Sequence, residues 1–185
     1  MKDHSRFISL AVLTLAGLTG CASIENFSCD MHDTRSRGVK PFTQYQLQEP
    51  KPGQVAPRTL PTATLAQAPT YKMEFRPRYT HPCSTLTLHK NVVLLRSVDN
   101  DVVLTEIREM YAEDGSLITS HSQDISDQVR KSGAYIATTP LPIPKAAPDG
   151  KYKVVSRLMQ ERRADRRPAV PVARTEGYFY ILPAD

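Results

Sequence analysis

Proline spacing is the feature that most restricts how this 185-residue chain can fold. Eight of its fifteen prolines lie between residues 40 and 82: Pro41, Pro50, Pro52, Pro57, Pro61, Pro69, Pro77 and Pro82. Each proline lacks the backbone N–H that a helix interior requires, so the region is predicted to be extended. Residues 21–70 are therefore predicted to form a proline-rich tether. The alternative is that this segment wraps around the folded domain as ordered coil.

Short alternating segments after the tether predict an all-β domain over residues 71–185. Tyr71, Met73 and Phe75 alternate with charged residues, which is the period of a half-buried strand. Further strands are predicted at residues 85–89, 92–95, 116–119, 134–139, 151–159 and 174–182. About seven short strands separated by turn residues fit a small antiparallel Ig-like β-sandwich.

Residues 101–113 fit two different structures. Val103, Leu104 and Ile107 fall at helical spacing, with Asp101 in the position of an N-cap. The Asp-Gly pair that follows, and the apolar run 117–119, are instead typical of a hairpin turn and its return strand. The β-rich context favours a strand.

The stretch 149–155, Asp-Gly-Lys-Tyr-Lys-Val-Val, resembles the entry to the penultimate strand of Ig-like domains. The resemblance implies that the ring of Tyr152 packs inward and that its hydroxyl fixes the corner. A similarity of this kind bears on the fold and not on the function.

The first 21 residues have the organisation of a secretory signal. Lys2 and Arg6 flank the start of an apolar run from Phe7 to Gly17. As a helix this run would be roughly 16 Å long, which is too short to cross a bilayer. The sequence Leu18-Thr19-Gly20-Cys21 then resembles the lipobox of bacterial lipoproteins.

The lipobox resemblance implies that residues 1–20 are a signal peptide that is removed on export. Cys21 would then be lipidated on its sulfur and acylated on its amino group, and more than one chain gives stable anchoring. Ala22 follows the cysteine where an aspartate would imply retention in the inner membrane. The predicted location is therefore the outer membrane, with its periplasmic face favoured.

Two cysteines remain beside the lipidated one, Cys29 and Cys83. In an oxidising compartment such a pair predicts a disulfide. The closed loop of roughly 54 residues would contribute about 3–4 kcal/mol on the chain-entropy model. The alternative is a tetrahedral metal site in which His32 and His81 join the two thiolates. The disulfide is preferred, and no metal or cofactor is predicted.

Basic side chains concentrate in one predicted hairpin loop: Arg162, Arg163, Arg166 and Arg167. Guanidinium groups match phosphate and carboxylate, so the loop is a candidate site for lipopolysaccharide or peptidoglycan. The alternative is a solvated loop that Glu161 and Asp165 partly neutralise.

Motifs for catalysis are missing from the sequence. It contains no G-x-S-x-G, no H-E-x-x-H and no phosphate-binding glycine loop, so an enzyme is not predicted. Export makes nucleic acid an unsuitable partner. The sequence predicts a lipid-anchored adaptor of an envelope or secretion assembly that binds a protein through its sandwich edges. A ligand- or metal-binding envelope module is the alternative.

Overall fold

The computed structural model describes residues 20–38, 40–49, 60, 65–97, 102–162, 164 and 168–183, with the side chains of residues 20–27 outside this description. Within these ranges lie one helix and nine strands: α1 (Gly20–Ser36), β1 (Gln44–Leu47), β2 (Ala66–Arg76), β3 (Tyr79–Thr80), β4 (Thr85–Arg96), β5 (Val102–Tyr111), β6 (Leu117–Asp124), β7 (Gly133–Pro142), β8 (Gly150–Arg162) and β9 (Val170–Ile181). The helix lacks the length and apolar character that crossing a bilayer requires, and no other described segment is helical.

The strands form two sheets that pack face to face. Sheet A has the order β1-β7-β4-β2, and sheet B has the order β3-β9-β8-β5-β6. All pairings are antiparallel except that of β3 with β9, which is parallel. The predicted all-β sandwich is confirmed.

The ambiguous segment after residue 101 is a strand, as predicted. β5 pairs with β6 on one side and with β8 on the other. The turn to β6 closes with Ala112 N–H donating to Ser116 O, and Gly115 has a positive φ of 84° that favours glycine. The helical spacing of Val103, Leu104 and Ile107 is coincidental, because pairing on both sides fixes the segment as a central strand.

The prediction of two strands at residues 85–89 and 92–95 is wrong, because β4 runs without a break from Thr85 to Arg96. Lys90 and Asn91 lay between the two predicted strands, and His89 ended the first of them. In the structure all three pair with both β2 and β7. Lys90 faces inward and is fully buried, so its charge is accommodated within the strand.

The prediction of a tether over residues 21–70 differs from the structure in the parts that the structure describes, whereas residues 50–59 and 61–64, with four of the prolines, lie outside the described residues. Residues 20–36 form α1, residues 44–47 pair with β7, and β2 begins at Ala66. Tyr45 lies in the core at 8% exposure. The alternative, a segment wrapped on the domain, describes these parts better, because an apolar ring and a paired strand tie them to the sandwich.

The corner before β8 has the geometry that the Ig-like resemblance implies. Tyr152 is buried, and its hydroxyl donates a 2.6 Å hydrogen bond to Pro148 O. Its ring stacks on Phe179 of β9 at 5.3 Å between centroids. The tyrosine therefore fastens the turn to the sheet, as in a tyrosine corner.

Two hydrophobic clusters fill the space between the sheets. One contains Val92, Leu94, Leu104 and Leu158 among its buried residues, and the other contains Leu86, Leu88, Val154 and Phe179. Along β4 and β8 the residues between the clusters are Lys90 and Ser156, which are both fully buried. A polar layer therefore divides the core.

Candidate functional site: the open β6 edge and the charge cluster behind it

The polar layer is a buried charge cluster, formed by Lys90, Glu106, Arg108, Tyr45, Tyr71 and Ser156. Lys90 of sheet A forms an ion pair with Oε1 of Glu106 in sheet B, and both side chains are 0% exposed. Tyr45 donates to Glu106 Oε2 and Ser156 donates to Oε1, each at 2.8 Å. The Tyr71 hydroxyl lies 2.7 Å from Ser156 Oγ. Side chains from both sheets therefore converge on one carboxylate.

The electrostatics of the charge cluster favour an ionised carboxylate. Burial raises the pKa of Glu106, but the positive charges of Lys90 and Arg108 and the hydrogen bonds from Lys90 and Ser156 outweigh burial and hold it below the ordinary value. Burial lowers the pKa of Lys90 to about 8, against the opposing attraction of Glu106. Lys90 and Glu106 are therefore both charged at neutral pH.

The charge cluster links the sheets and is closed to solvent. Burial is also the main cause of the raised pKa values of Tyr45 and Tyr71, so neither phenol is suited to act as a base. With Lys90, Glu106 and Ser156 fully buried, a ligand has no access to the carboxylate. This geometry supports a structural role, in which the charge cluster fixes how the two sheets align.

Arg108 connects the charge cluster to a small cleft at the β6 side of the sandwich. Its Nε lies 3.8 Å from Glu106 Oε1, and its Nη2 donates to Pro41 O. The cleft has a volume of about 60 Å³ and is lined by Pro41, Leu88, Arg108, Glu109, Met110, Thr119, His121, Leu141 and Val154. Burial, followed by the charges of Arg108 and Lys40, lowers the pKa of His121. The cleft is therefore largely apolar, and Arg108 and Glu109 in its lining carry opposite charges.

β6 forms the wall of this cleft and is the outer strand of sheet B. It has eight residues, and its sequence contains no proline, lysine, arginine or glutamate. Leu117 and Ile118 are 55% and 50% exposed. Natural sheet edges are usually protected by short length, charged side chains or proline. Of these protections β6 has only the charge of Asp124 at its last residue, together with a register shift at its first residues.

The other outer strands are protected in ways that β6 is not. β1 has four residues and β3 has two. β2 is longer, but it carries Pro69 and the charged residues Lys72, Glu74 and Arg76. Among the strands within the described ranges, β6 is therefore the edge best suited to accept another strand.

The hydrogen-bond register shows which groups of β6 face away from the sheet. Ile125 N–H donates to Leu104 O, and bonded pairs alternate along an antiparallel ladder. The register pairs Glu109 with Ser120 and Ile107 with Ser122 at the intervening, non-bonded positions. Ser120 and Ser122 therefore direct their backbone N–H and C=O groups away from β5, toward the open edge.

The predicted disulfide is present between Cys29 of α1 and Cys83. Both sulfurs are used in this bond, so the alternative metal site loses its two thiolate ligands. The two histidines also have separate neighbours, because His32 Nε2 lies 3.2 Å from Thr85 Oγ1 and His81 Nδ1 lies 3.1 Å from Pro183 O. No group of three metal-ligating side chains occurs in the part of the chain that the structure describes.

The predicted lipidation and arginine sites fall largely outside the described side chains. Cys21 lies in α1, where its side chain is not described, and the same holds for Arg163, Arg166 and Arg167 in the β8–β9 loop. Arg162 is half-buried at the end of β8. These residues stay predictions.

The basic side chains that flank the arginine-rich loop have partners on the outer face of sheet B. Arg157 pairs with Glu109, and Arg174 pairs with Glu176 at 2.7 Å. Lys151 and Lys153 lie over tyrosine rings at 4.5 and 5.1 Å. Carboxylates therefore neutralise Arg157 and Arg174, whereas Lys151 and Lys153 keep their positive charge.

The charge cluster and the β6 edge were missed at the level of sequence, although each leaves a signal there. Lys90 falls at the inward position of a strand that also buries Leu86, Leu88, Val92 and Leu94. A charge at such a position indicates an inward-facing ion pair. The signal for β6 is the absence of protective residues in a strand next to a turn.

Comparisons with known proteins place the chain in no family. No family model matches it, and no curated protein matches its sequence. The C-terminal domain of Wzt matches 84% of this chain and 87% of its own, at 12% identity and a TM-score of 0.46. A CARDB domain from Pyrococcus furiosus, in complex with di-metal ions, matches 63% and 94% at 11% identity and a TM-score of 0.38.

A third solved structure is the alkylpurine DNA glycosylase AlkC of Pseudomonas fluorescens, which was bound to DNA with an abasic site analog. It matches 63% of this chain and 30% of its own, at 8% identity and a TM-score of 0.35. At such low identities and TM-scores, none of the three structures bears on the function of this protein.

Proposed function

We propose that this protein is a lipid-anchored adaptor of the cell envelope that captures an extended segment of a partner protein on β6. The unprotected β6 edge is the observation that supports this proposal. An incoming strand would bond to the outward groups of Ser120 and Ser122, and main-chain hydrogen bonds supply affinity in strand addition. The anchor is the predicted lipid at Cys21, with the domain at the periplasmic face of the outer membrane.

The chemistry beside β6 defines the partner segment. Leu117 and Ile118 offer exposed apolar side chains, and the neighbouring cleft contains Leu88 and Leu141. The proposed ligand is therefore an extended segment that carries apolar side chains.

A photoreactive amino acid at position 118 of the full-length protein would test the proposal in cells. One dominant envelope protein should crosslink from this position. The matched control is position 72 on the protected edge strand β2, whose side chain is also exposed. Equal crosslinking from both positions would contradict a site at β6.

A proline substitution distinguishes strand addition from nonspecific binding to the exposed apolar residues. Ser120→Pro removes an outward N–H that β5 does not use, so the sandwich should keep its stability. Crosslinking from position 118 should fall roughly tenfold, which exceeds the loss of a single hydrogen bond because the ring also obstructs the edge. Ser120→Ala keeps the N–H and should crosslink like the parent. Capture that survives Ser120→Pro in a folded variant would exclude main-chain pairing at this edge.

A further inference from the structure

A second surface lies between α1 and sheet A, next to the cleft beside β6, since Pro41 lines both. It is a groove of about 520 Å³, which is within the range of small-molecule sites. Residues of α1 form one wall, the starts of β4 and the ends of β7 form the other, and residues 40–42 lie along it. We call it the α1 groove. Its lining includes Met31, His32, Arg35, Lys40, Phe42 and Pro142.

The α1 groove combines apolar surface with positive charge. Met31 and Phe42 are 40% and 53% exposed, which is unusual for large apolar side chains. Arg35 and Lys40 are exposed within the same lining, and no aspartate or glutamate occurs among its described residues. Such a surface matches a ligand with an apolar chain and an anionic head.

The acidic residues nearest in sequence do not neutralise the groove, because they have other partners. Asp30 pairs with Lys145 at 2.9 Å, and Asp33 pairs with Arg37 at 2.8 Å. The hydrogen bond from Arg37 is the main cause of the lowered pKa of Asp33. Arg35 and Lys40 therefore set the charge of the α1 groove.

The groove also lies close to the predicted lipid anchor. Cys21 and the first lining residue, Ser28, belong to the same helix. A helix rises 1.5 Å per residue, so the distance along the axis from Cys21 to Ser28 is roughly 10 Å. The Cys29–Cys83 bond holds this helix against the sandwich. A membrane lipid beside the anchor is therefore within reach of the groove.

We propose that the α1 groove binds an anionic membrane lipid, with its acyl chain against Met31 and Phe42 and its phosphate between Arg35 and Lys40. This proposal rests on the proposed lipid anchor at Cys21, which brings the groove to the bilayer. A bound lipid would orient the sandwich on the membrane and direct β6 toward a partner.

The test uses full-length lipidated protein in phosphatidylcholine vesicles that contain a small, equal fraction of photoactivatable phosphatidylglycerol or photoactivatable phosphatidylcholine. After illumination, mass spectrometry maps the labelled peptides. Phosphatidylglycerol should label residues 28–42, and phosphatidylcholine should label them far less. Equal labelling by both lipids, or labelling outside the groove, would overturn the proposal.

Two variants of equal net charge show whether Arg35 and Lys40 are responsible for binding the anionic lipid. Arg35→Gln with Lys40→Gln should reduce labelling by phosphatidylglycerol roughly tenfold, because each cation near an anionic lipid contributes to binding. Lys72→Gln with Lys131→Gln removes the same charge from exposed positions outside the groove and should change labelling less than about twofold. An equal loss in both variants would mean general electrostatic attraction and not a site.

Separate measurements distinguish failure of the lipid-binding proposal from failure of the proposed function. The intact mass of the purified protein reports lipidation at Cys21 before vesicles are made. Strand capture is measured separately, by crosslinking from position 118. A lipidated, partner-binding protein whose α1 groove is not labelled would overturn the lipid proposal alone.

Discussion

Lys90 and Glu106 are charged residues at inward-facing positions of their strands, where the alternating pattern predicts buried side chains. Each belongs to a different sheet, and Tyr45 and Ser156 complete the hydrogen bonds of the carboxylate. Replacing a buried ion pair by apolar groups is often neutral, whereas removing one partner is costly. The pair therefore fixes how the sheets align more than it adds net stability.

Removal of one partner should reveal this asymmetry. Lys90→Met leaves Glu106 buried with Arg108 at 3.8 Å as its remaining cation, and we expect a loss of about 3–5 kcal/mol in the free energy of unfolding. Lys90→Met combined with Glu106→Gln should lose less than the single variant. Urea denaturation of the parent and both variants measures the difference. Glu106→Gln alone completes the comparison, and a double-variant loss equal to the sum of the two single-variant losses would show that the two side chains are not coupled.

The same pair predicts an acid dependence. The pKa of Glu106 is below its ordinary 4.5 in the folded protein. At pH values between the folded pKa and 4.5, the unfolded chain therefore binds more protons than the folded chain. The stability from this group is present above pH 4.5 and is lost as the pH falls through the folded pKa. Between about pH 5 and about pH 3, the parent should therefore lose more stability than the Lys90→Met/Glu106→Gln variant.

The comparison with the double variant isolates Glu106 from the other carboxylates. Hydrogen bonds, from Arg37 and Ser116 respectively, also lower the pKa values of Asp33 and Asp114. Both residues are present in the parent and in the variant, so their contributions cancel. Parallel acid profiles for the two proteins would contradict the assignment.

At the scale of elements, α1 depends on one covalent bond. Its described contacts with the sandwich are the Cys29–Cys83 disulfide, the exposed Asp30–Lys145 pair, and contacts from His32 and Asp33. An exposed ion pair contributes little, about 0–1 kcal/mol. The disulfide is therefore the main attachment of the helix.

Removal of this bond should release the helix. For Cys29→Ser with Cys83→Ser we expect a loss of about 3–4 kcal/mol, since a long loop is no longer closed in the unfolded chain. Hydrogen exchange should also show loss of protection in α1 while β4 and β8 stay protected. The control is Lys145→Gln, which removes the ion pair to Asp30 and should leave α1 protected. Unchanged protection in the double serine variant would mean that packing holds the helix.

β6 and α1 present two different surfaces of the whole molecule. One is an unprotected sheet edge, and the other is a basic and apolar groove next to the predicted anchor. In the proposed arrangement the groove meets the membrane and β6 meets the partner. Cys21 and the disulfide-bonded Cys29 lie in the same helix. In the proposed arrangement this short separation would keep the sandwich near the bilayer, unlike a long flexible tether.

The anchor itself is predicted to determine location and not folding. Cys21→Ser should move the full-length protein out of the membrane fraction and remove the mass of the acyl chains. Its thermal midpoint should match that of the parent, because residue 21 precedes the disulfide-bonded part of α1. Ala22→Asp is the matched control, which should keep the acyl mass but change the membrane in which the protein is found. A Cys21→Ser protein that stays membrane-bound would contradict the lipid anchor.

Local patterns in the sequence determined much of the fold. Alternation at Tyr71, Met73 and Phe75 identified a strand, the Asp-Gly pairs marked turns, and the resemblance of residues 149–155 to Ig-like domains implied the environment of Tyr152. The Cys29–Cys83 bond was predicted from an even cysteine pair in a chain expected to be exported. Each of these depends on neighbours in sequence or on simple pairing, so the chain alone contains the information.

Tertiary structure decided where the described parts of the predicted tether go and which surfaces stay open. Proline excludes helix at those positions, but it does not determine whether extended chain pairs with β7, as β1 does. The burial of Lys90 depended on Glu106 reaching it from the other sheet. The openness of β6 depended on which strands lie beside it. Contacts between residues far apart in sequence fix these features, because the free energy of a charge or an edge depends on what covers it.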